Sequence, residues 1–226
     1  PSHFIRLLAK AAAKGGNLLL NIGPMGSGKM APEDLSILHS IGKWWEVNGE
    51  SIRGTTRTPL MRQSWGDSTL KGKNLYLHVF DWPSDGKLVV GGLKGEIEKA
   101  TLLADRKTKL TVKRKGIDVE IDLPPRAPDM ADSVILVECK ATPQGDPVFL
   151  VQKNMPNRLS VFFADLLGTQ KKDGWRLNKG TATTANVTGW RQRECGVHWS
   201  TRVNQKTCFD VVVRYDAPGA DGKKKV

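Results

Sequence analysis

The residues of this chain that could carry acid, base or nucleophilic chemistry do not form a complete catalytic set. The four histidines are far apart, at His3, His39, His78 and His198. His78 lies inside an apolar run, where we expect a packed core residue. Glu33 and Asp34 are adjacent, but neighbouring helix residues point about 100° apart. These two carboxylates are therefore expected to complement a helix N-terminus and not to work together as a catalytic acid and nucleophile.

The glycine-rich loop from Gly23 to Met30 nearly fits the phosphate-binding pattern G-x-x-x-x-G-K-[ST]. The last position of that pattern needs a hydroxyl group to hold magnesium, and Met30 has none. Pro32 also delays the helix whose N-terminus would hold the phosphates. We therefore expect no nucleotide at this loop, and the sequence predicts neither a cofactor nor a metal ion.

Three cysteines, Cys139, Cys195 and Cys208, are an odd number without C-x-x-C spacing. This pattern argues against a zinc site and against a full disulfide framework. A Cys195–Cys208 disulfide stays open beside buried or exposed free thiols. The compartment also stays open, with a secreted, periplasmic or lysosomal-like full-length protein as the expectation.

The net charge of +12 is concentrated in the last third of the chain, where residues 139–226 carry 15 basic and seven acidic side chains. Basic residues interleaved with tryptophans would suit nucleic acid, because these side chains contact phosphates and stack on bases. The basic residues fit no helical face or nucleic-acid motif, so we expect no nucleic-acid partner. No run of about 18 apolar residues is present, so we expect no membrane partner either.

The first 57 residues predict part of an α/β fold. Residues 3–13 have helical apolar spacing, and Gly15 supplies a stop. Residues 17–22 form a short apolar run between glycines, typical of a strand buried on both faces of a parallel sheet. A second helix is predicted from Pro32 to Asn48-Gly49. One side of that helix carries Leu35, Leu38, Ile41 and Trp45.

From residue 58 the apolar period changes to two, which indicates an antiparallel sandwich or barrel over 58–138. Its clearest predicted strands are residues 75–80, 117–123 and 133–137. Further strand-like runs follow a Pro/Gly-rich linker, at 157–163 and 208–215. We interpret residues 139–226 as a second β domain that is cut short.

Three ordered strings carry a family resemblance: KGGNLLLNIGP at 14–24, KWWEVNGESI at 43–52 and LYLHVFDWP at 75–83. Together they resemble α-L-fucosidases of glycoside hydrolase family 29. The resemblance implies that residues 1–57 are the last strand and helix of a (β/α)8-like catalytic barrel and that a β-sandwich follows. Residues 139–226 resemble, more loosely, the extra carbohydrate-binding-like β domains of some members.

The resemblance further implies retaining hydrolysis of α-L-fucosides, in which one carboxylate attacks the anomeric carbon and another protonates the leaving oxygen. The family's catalytic carboxylates lie upstream of the matched strings, so no catalytic residue is assigned in this chain. The implied partners are fucosylated glycans and a missing N-terminal catalytic segment. The alternative is a non-catalytic module that binds carbohydrate or a protein partner.

Asn21 and Gly23 are the candidate substrate-proximal residues, because they follow the predicted barrel strand at the end that faces the active site. The other interpretation of Asn21 is an amide that satisfies backbone groups at the strand end. Three tryptophans are candidates for stacking on sugar rings. They are Trp175, Trp190 and Trp199. The remaining tryptophans, at 44, 45, 65 and 82, are expected to pack inside the fold.

Overall fold

The computed structural model describes residues 1–153, 155–167, 176–178, 184–188 and 195–214. Two helices come first, α1 at Ser2–Ala13 and α2 at Pro32–Asn48, and a 3-10 turn at Gly49–Ser51 extends α2. Eight strands follow: β1 Gly66–Lys71, β2 Asn74–Val79, β3 Lys87–Val90, β4 Leu93–Lys94, β5 Ile97–Leu102, β6 Val112–Lys115, β7 Asp118–Asp122 and β8 Ser133–Cys139. The part of the chain described here is therefore rich in antiparallel sheet.

Helix α1 forms and ends as its sequence predicts. Ile5, Ala9 and Ala13 are spaced four residues apart and form its buried face. The backbone N–H groups of Gly15 and Gly16 bond back to the carbonyls of Ala12 and Ala11, at 2.8 and 2.9 Å. Gly15 has a φ of +74°, which a residue with a Cβ rarely adopts. This pair of bonds and this backbone conformation end the helix as a Schellman motif.

The prediction of a strand over residues 17–22 is wrong, because this segment belongs to no strand in the structure. Leu19 is 92% exposed, and Leu18 and Leu20 are only half-buried. A strand of a parallel sheet obtains its hydrogen bonds from neighbouring strands on both sides. No described residue pairs with this segment, so its apolar sequence cannot produce a strand by itself.

Helix α2 begins with Pro32 in its first turn, together with Glu33 and Asp34, as predicted. Its buried residues are Trp44 and Asn48, whereas Leu35 on the predicted apolar side stays 40% exposed. That side is therefore only partly covered by the described chain. No helix of the described residues is long and apolar enough to cross a membrane.

Two antiparallel sheets share the main core. One has the order β1-β2-β8-β5 and the other the order β3-β7-β6. Alternate residues of β2 and β8 point into this core, whose fully buried members include Leu75, Leu77, Leu88, Val119, Ile121, Ile135 and Val137. Trp65 is completely buried among them, and its indole N–H donates to the carbonyl of Val89 at 2.8 Å.

The opposite face of the four-stranded sheet packs against the two helices and forms a second cluster. Its buried members are Ile5, Trp44, Tyr76, Leu103, Ala131, Val134 and Leu136. Both faces of β2 and β8 are thus covered, which explains why their sequences are almost continuously apolar. Residues 1–139 therefore form three layers: the helices, the four-stranded sheet and the three-stranded sheet.

The remaining strands are short: β9 Gln144–Gly145, β10 Phe149–Leu150, β11 Asp165–Leu167, β12 Arg176–Asn178, β13 Asn186–Thr188, β14 Gly196–His198 and β15 Thr201–Arg202. One of them reaches back to the earlier part of the chain, since β9 pairs with β4, whereas β10 pairs in parallel with β15. The strand predicted at 157–163 is wrong, because Val161–Phe163 is a 3-10 turn. Residues 208–214 of the other predicted strand belong to no strand, and Tyr215 lies outside the described residues.

Candidate functional site

The loop that follows the apolar segment holds the two predicted substrate-proximal residues, Asn21 and Gly23. Both residues are exposed. Among the described residues, no atom beyond the chain neighbours of Gly23 lies within 4 Å of the position that a Cβ would take there. Within the described chain the Asn21 side chain makes no hydrogen bond, so the amide remains available to a ligand or to a neighbouring element. The loop itself is closed by bonds from Met25 N–H to the Lys29 carbonyl and from Gly28 N–H to the Met25 carbonyl, both 2.8 Å.

The acidic residues after this loop lie where a helix N-terminus needs negative charge. Ala31 is the N-cap of α2 and gives no side-chain cap bond, while Glu33 and Asp34 occupy the first turn. Carboxylates in that turn stabilise a helix by interacting with its unpaired N–H groups. Their position in the structure confirms the predicted helix-terminal role, and it does not assemble a pair of catalytic carboxylates.

His78 is completely buried, as predicted for a packed core residue, but it also has an acidic partner that its sequence neighbours do not reveal. Its Nδ1 lies 2.7 Å from Oδ2 of Asp132, which is also completely buried. The Trp44 indole N–H donates to the backbone carbonyl of Asp132 at 2.8 Å. The pair therefore joins β2, the segment before β8 and helix α2 at one buried point.

Arg6 connects α1 to the same segment. Its guanidinium donates to the carbonyls of Ala131 and Phe80, both at 2.7 Å, and lies over the Phe80 ring at 5.5 Å. A planar guanidinium donates hydrogen bonds to carbonyl oxygens and stacks on aromatic faces. Both helices are thus fixed to the sheet by polar contacts at residues 131 and 132, in addition to apolar packing.

The predicted packing tryptophans are placed as expected. Trp44 is buried, and Trp82 packs at the edge of the main core and donates to the Pro124 carbonyl at 3.0 Å. Of the three candidate sugar-stacking residues, Trp175 and Trp190 lie outside the described residues. Trp199 is half-buried, and its indole N–H donates to the Ser160 carbonyl at 2.9 Å.

An aromatic pair that the sequence did not single out follows Ser160, the residue whose carbonyl the Trp199 indole bonds. Phe162 and Phe163 pack edge to face at 5.0 Å, and they are 41% and 50% exposed. The Arg62 guanidinium lies 5.9 Å from the centre of the Phe163 ring. Exposed rings beside a cation form a surface suited to stacking and polar contacts.

The cysteines and the metal-binding residue types add no further chemistry within the described residues. Cys139, Cys195 and Cys208 are free thiols, and burial raises the pKa of Cys139, which makes its thiolate harder to form. No group of three His, Cys, Asp or Glu side chains in the described chain is arranged to hold a metal ion.

Comparison with known sequences identifies relatives for the first part of the chain. A sequence model of the family described as alpha-L-fucosidase matches residues 1–50. The chain is 39% identical over 90 residues to an alpha-L-fucosidase of Branchiostoma floridae, covering 38% of this chain and 20% of the relative. It is 34% identical over 134 residues to the tissue alpha-L-fucosidase of Bos taurus, covering 56% and 28%. The chain thus spans less than a third of either relative.

Solved structures agree with these matches. The alpha-L-fucosidase isoenzyme 1 of Paenibacillus thiaminolyticus is similar with a TM-score of 0.57 and 30% identity, covering 62% of this chain and 34% of that structure. A family 29 enzyme of Bacteroides thetaiotaomicron, trapped as a covalent intermediate, has a TM-score of 0.56 and 29% identity, covering 62% and 32%. The alpha-L-fucosidase of Vibrio sp. strain EJY3 has a TM-score of 0.61 at 24% identity, which shows similarity of fold.

Proposed function

We propose that this chain, a member of the α-L-fucosidase family, is the C-terminal part of a retaining enzyme that hydrolyses terminal α-L-fucosyl linkages. The observation that carries the proposal is the match of residues 1–50 to the family. These residues form helix α1, the apolar segment, the loop and helix α2. This order of helix, strand-like segment, loop and helix is that of a barrel repeat.

The finer architecture is part of the same proposal. Residues 1–57 would be the end of the catalytic barrel, residues 58–138 a β-sandwich, and residues 139–226 a second β domain. The exposed apolar residues of the first part support the barrel assignment, because Leu19 and Leu35 are apolar surfaces that further barrel elements would cover. The two sheets that share one core support the sandwich.

The catalytic carboxylates are proposed to lie upstream of this chain. A retaining glycosidase needs two carboxyl groups about 5–5.5 Å apart on either side of the glycosidic bond. Three acids at the two ends of α2 already have other positions or partners: Glu33 and Asp34 occupy its first turn, and Glu50 forms an ion pair with Arg106. The trapped intermediate of the Bacteroides thetaiotaomicron relative, formed with 2-fluoro-fucosyl fluoride, is consistent with a covalent, retaining pathway.

In this enzyme Asn21 and Gly23 would lie at the substrate end of the barrel. The Asn21 amide would donate to, or accept from, a sugar hydroxyl or a neighbouring strand. Gly23 would leave room for the sugar, since among the described residues no atom beyond its chain neighbours lies within 4 Å of the position that a Cβ would take. Trp175, Trp190 and Trp199 would offer stacking surfaces for the glycan outside the barrel, and the Trp199 indole bonds the carbonyl of Ser160, which precedes the exposed Phe162 and Phe163 in the chain.

The decisive experiment is hydrolysis of a chromogenic α-L-fucoside, first by this chain alone and then by the chain extended upstream to full family length. We expect no turnover by the chain alone and turnover by the extended protein. Turnover by the chain alone would overturn the upstream placement of the carboxylates. An extended protein that is folded but inactive on α-L-fucosides would overturn the proposed function.

The role of Asn21 is tested in the extended protein with Asn21→Ala. We expect kcat/KM for the fucoside to fall by about tenfold or more, because a sugar-site amide that loses its partner costs about 1–3 kcal/mol. Asn17→Ala is the matched control, since Asn17 is also an exposed asparagine, at the other end of the same segment. Equal activity of the two variants would remove Asn21 from the site.

A further inference from the structure

A cavity of about 720 Å³ opens at the C-terminal end of α2. Its walls come from the end of α2, the 3-10 turn, the last residue of β1 and residues 103–106. The 17 residues of α2 span about 25 Å. The cavity lies at the opposite end of α2 from its Pro32 start, and its lining includes neither Asn21 nor Gly23.

The indole of Trp45 forms an ordered wall of this cavity. The backbone of Gly49 touches it so closely that a Cβ at this position would lie 2.9 Å from the ring. The Arg53 guanidinium lies 5.4 Å from the ring centre. Because the ring is held by the backbone and stacked by the guanidinium, the two groups form one preorganised surface.

The charged side chains of the cavity leave an excess of positive charge. Its lining contains Arg53, Lys71 and Arg106 against Glu46 and Glu50. Glu50 is already paired with Arg106. Among the lining residues this leaves Arg53 and Lys71 against Glu46, a net charge of +1.

Two of the three cations lack such a partner. Within the described chain no carboxylate lies within 4 Å of Arg53 or Lys71, and the Lys71 ammonium donates only to the Arg53 carbonyl, at 3.3 Å. A helix C-terminus favours one nearby cation through its dipole. That effect does not account for two unpaired cations that line the same cavity beside an indole.

We propose that this cavity binds an anionic sugar residue, a pyranose that carries a sulfate or carboxylate group. Arg53 would bond two oxygens of the anionic group through its planar fork, and Lys71 would add a point charge. The apolar edges of Trp45, Val47 and Leu103 would contact the ring. The choice of a sugar as ligand rests on the proposed function, and the site would then favour acidic fucosylated glycans as substrates.

Binding is measured with the 226-residue chain by titration calorimetry or NMR. The probes are L-fucose 4-sulfate, D-galacturonate, neutral L-fucose and inorganic sulfate. We expect saturable binding of the two acidic sugars that weakens with added salt, and no binding of neutral fucose. Arg53→Gln and Lys71→Gln should each weaken binding by about tenfold or more, since each removes a charge-assisted hydrogen bond.

Lys73→Gln is the matched control, because it removes the same charge two residues from Lys71 but at a side chain that pairs with Glu98. Its binding should equal that of the unmodified chain. Circular dichroism of each variant checks that the fold is retained. A variant that unfolds is replaced by Arg53→Lys, which keeps the charge and loses the fork, and we expect that variant to weaken binding as well.

Equal binding of neutral and acidic sugars, or no loss in Arg53→Gln and Lys71→Gln, would overturn the proposal. Inorganic sulfate that binds as tightly as the sulfated sugar would overturn its sugar part. Binding by this chain needs no catalytic carboxylate, so the result is independent of the hydrolysis assay. Hydrolysis by the extended protein without acidic-sugar binding would reject this site alone.

Discussion

Asp67, the second residue of β1, is a half-buried carboxylate beside α1. Burial raises the pKa of Asp67 above its ordinary value, although the nearby Lys10 and Lys14 oppose the shift. If the pKa of a carboxyl group is higher in the folded than in the unfolded state, the group stabilises the fold at pH values below its unfolded pKa. That contribution is lost as pH rises from the ordinary aspartate value through the folded value. The charged form of Asp67 therefore opposes folding at neutral pH.

We expect Asp67→Asn to raise the urea midpoint of unfolding at pH 7, because the variant carries no charge into a half-buried position. The gain should disappear near pH 3, where the carboxyl group of the unmodified chain is protonated in both states. Asp210→Asn is the control, since Asp210 is exposed. A lower midpoint for Asp67→Asn at pH 7 would mean that attraction to the lysines outweighs the cost of burial.

At the scale of elements, the apolar segment 17–22 and strand β2 have similar compositions but opposite outcomes. Strand β2 has hydrogen-bonded neighbours on both sides, β1 and β8, over its whole length. The segment 17–22 has none among the described residues. Strand formation depends on these partners, because a lone extended chain leaves its N–H and C=O groups unpaired.

We expect rapid amide hydrogen exchange of residues 17–22 in this chain and strong protection of residues 75–79, measured in one experiment by NMR or mass spectrometry. The buried β2 amides serve as the internal reference. In the protein extended upstream, the segment should gain protection as barrel strands pair with it. Strong protection of 17–22 in the monomeric 226-residue chain would contradict this account of the segment.

At the scale of the whole molecule, a buried ion pair fixes the C-terminal region to the three-stranded sheet. Arg202 of β15 donates two hydrogen bonds to the carboxylate of Asp118 in β7, and one of them is 2.9 Å long. The two side chains are 19% and 2% exposed. Asp118 also accepts from the Gly92 N–H at 2.9 Å. The pair raises the pKa of Arg202 and joins residues 84 positions apart.

Arg202→Met should lower the free energy of unfolding by about 3 kcal/mol, because the Asp118 carboxylate would stay buried without its counter-ion. Urea unfolding measures this loss, and limited proteolysis should show faster cleavage after residue 140. The double variant with Asp118→Asn should recover part of the stability, since it removes the unpaired charge. Equal stability of Arg202→Met and the unmodified chain would show that other contacts hold this region.

Local features of the sequence determined the helices and several strands. The glycine stop of α1, the proline start of α2 and the strands at 75–80, 117–123 and 133–137 were predicted from near neighbours and are found in the structure. Helix termini and apolar period depend on residues a few positions apart, so the sequence alone contains this information. The three strings of the family resemblance were also sufficient to predict the relatives that the comparisons found.

Only the tertiary structure decided which elements pair and which charged groups meet. Strand β6, Val-Lys-Arg-Lys, lacks the apolar alternation of a strand and forms because β7 supplies its partner. His78 and Asp132 are 54 positions apart, and no local pattern links them. The Trp45 cavity likewise combines residues of α2, β1 and the segment after β5. Contacts of this kind depend on how the layers pack, which the sequence pattern of one element does not specify.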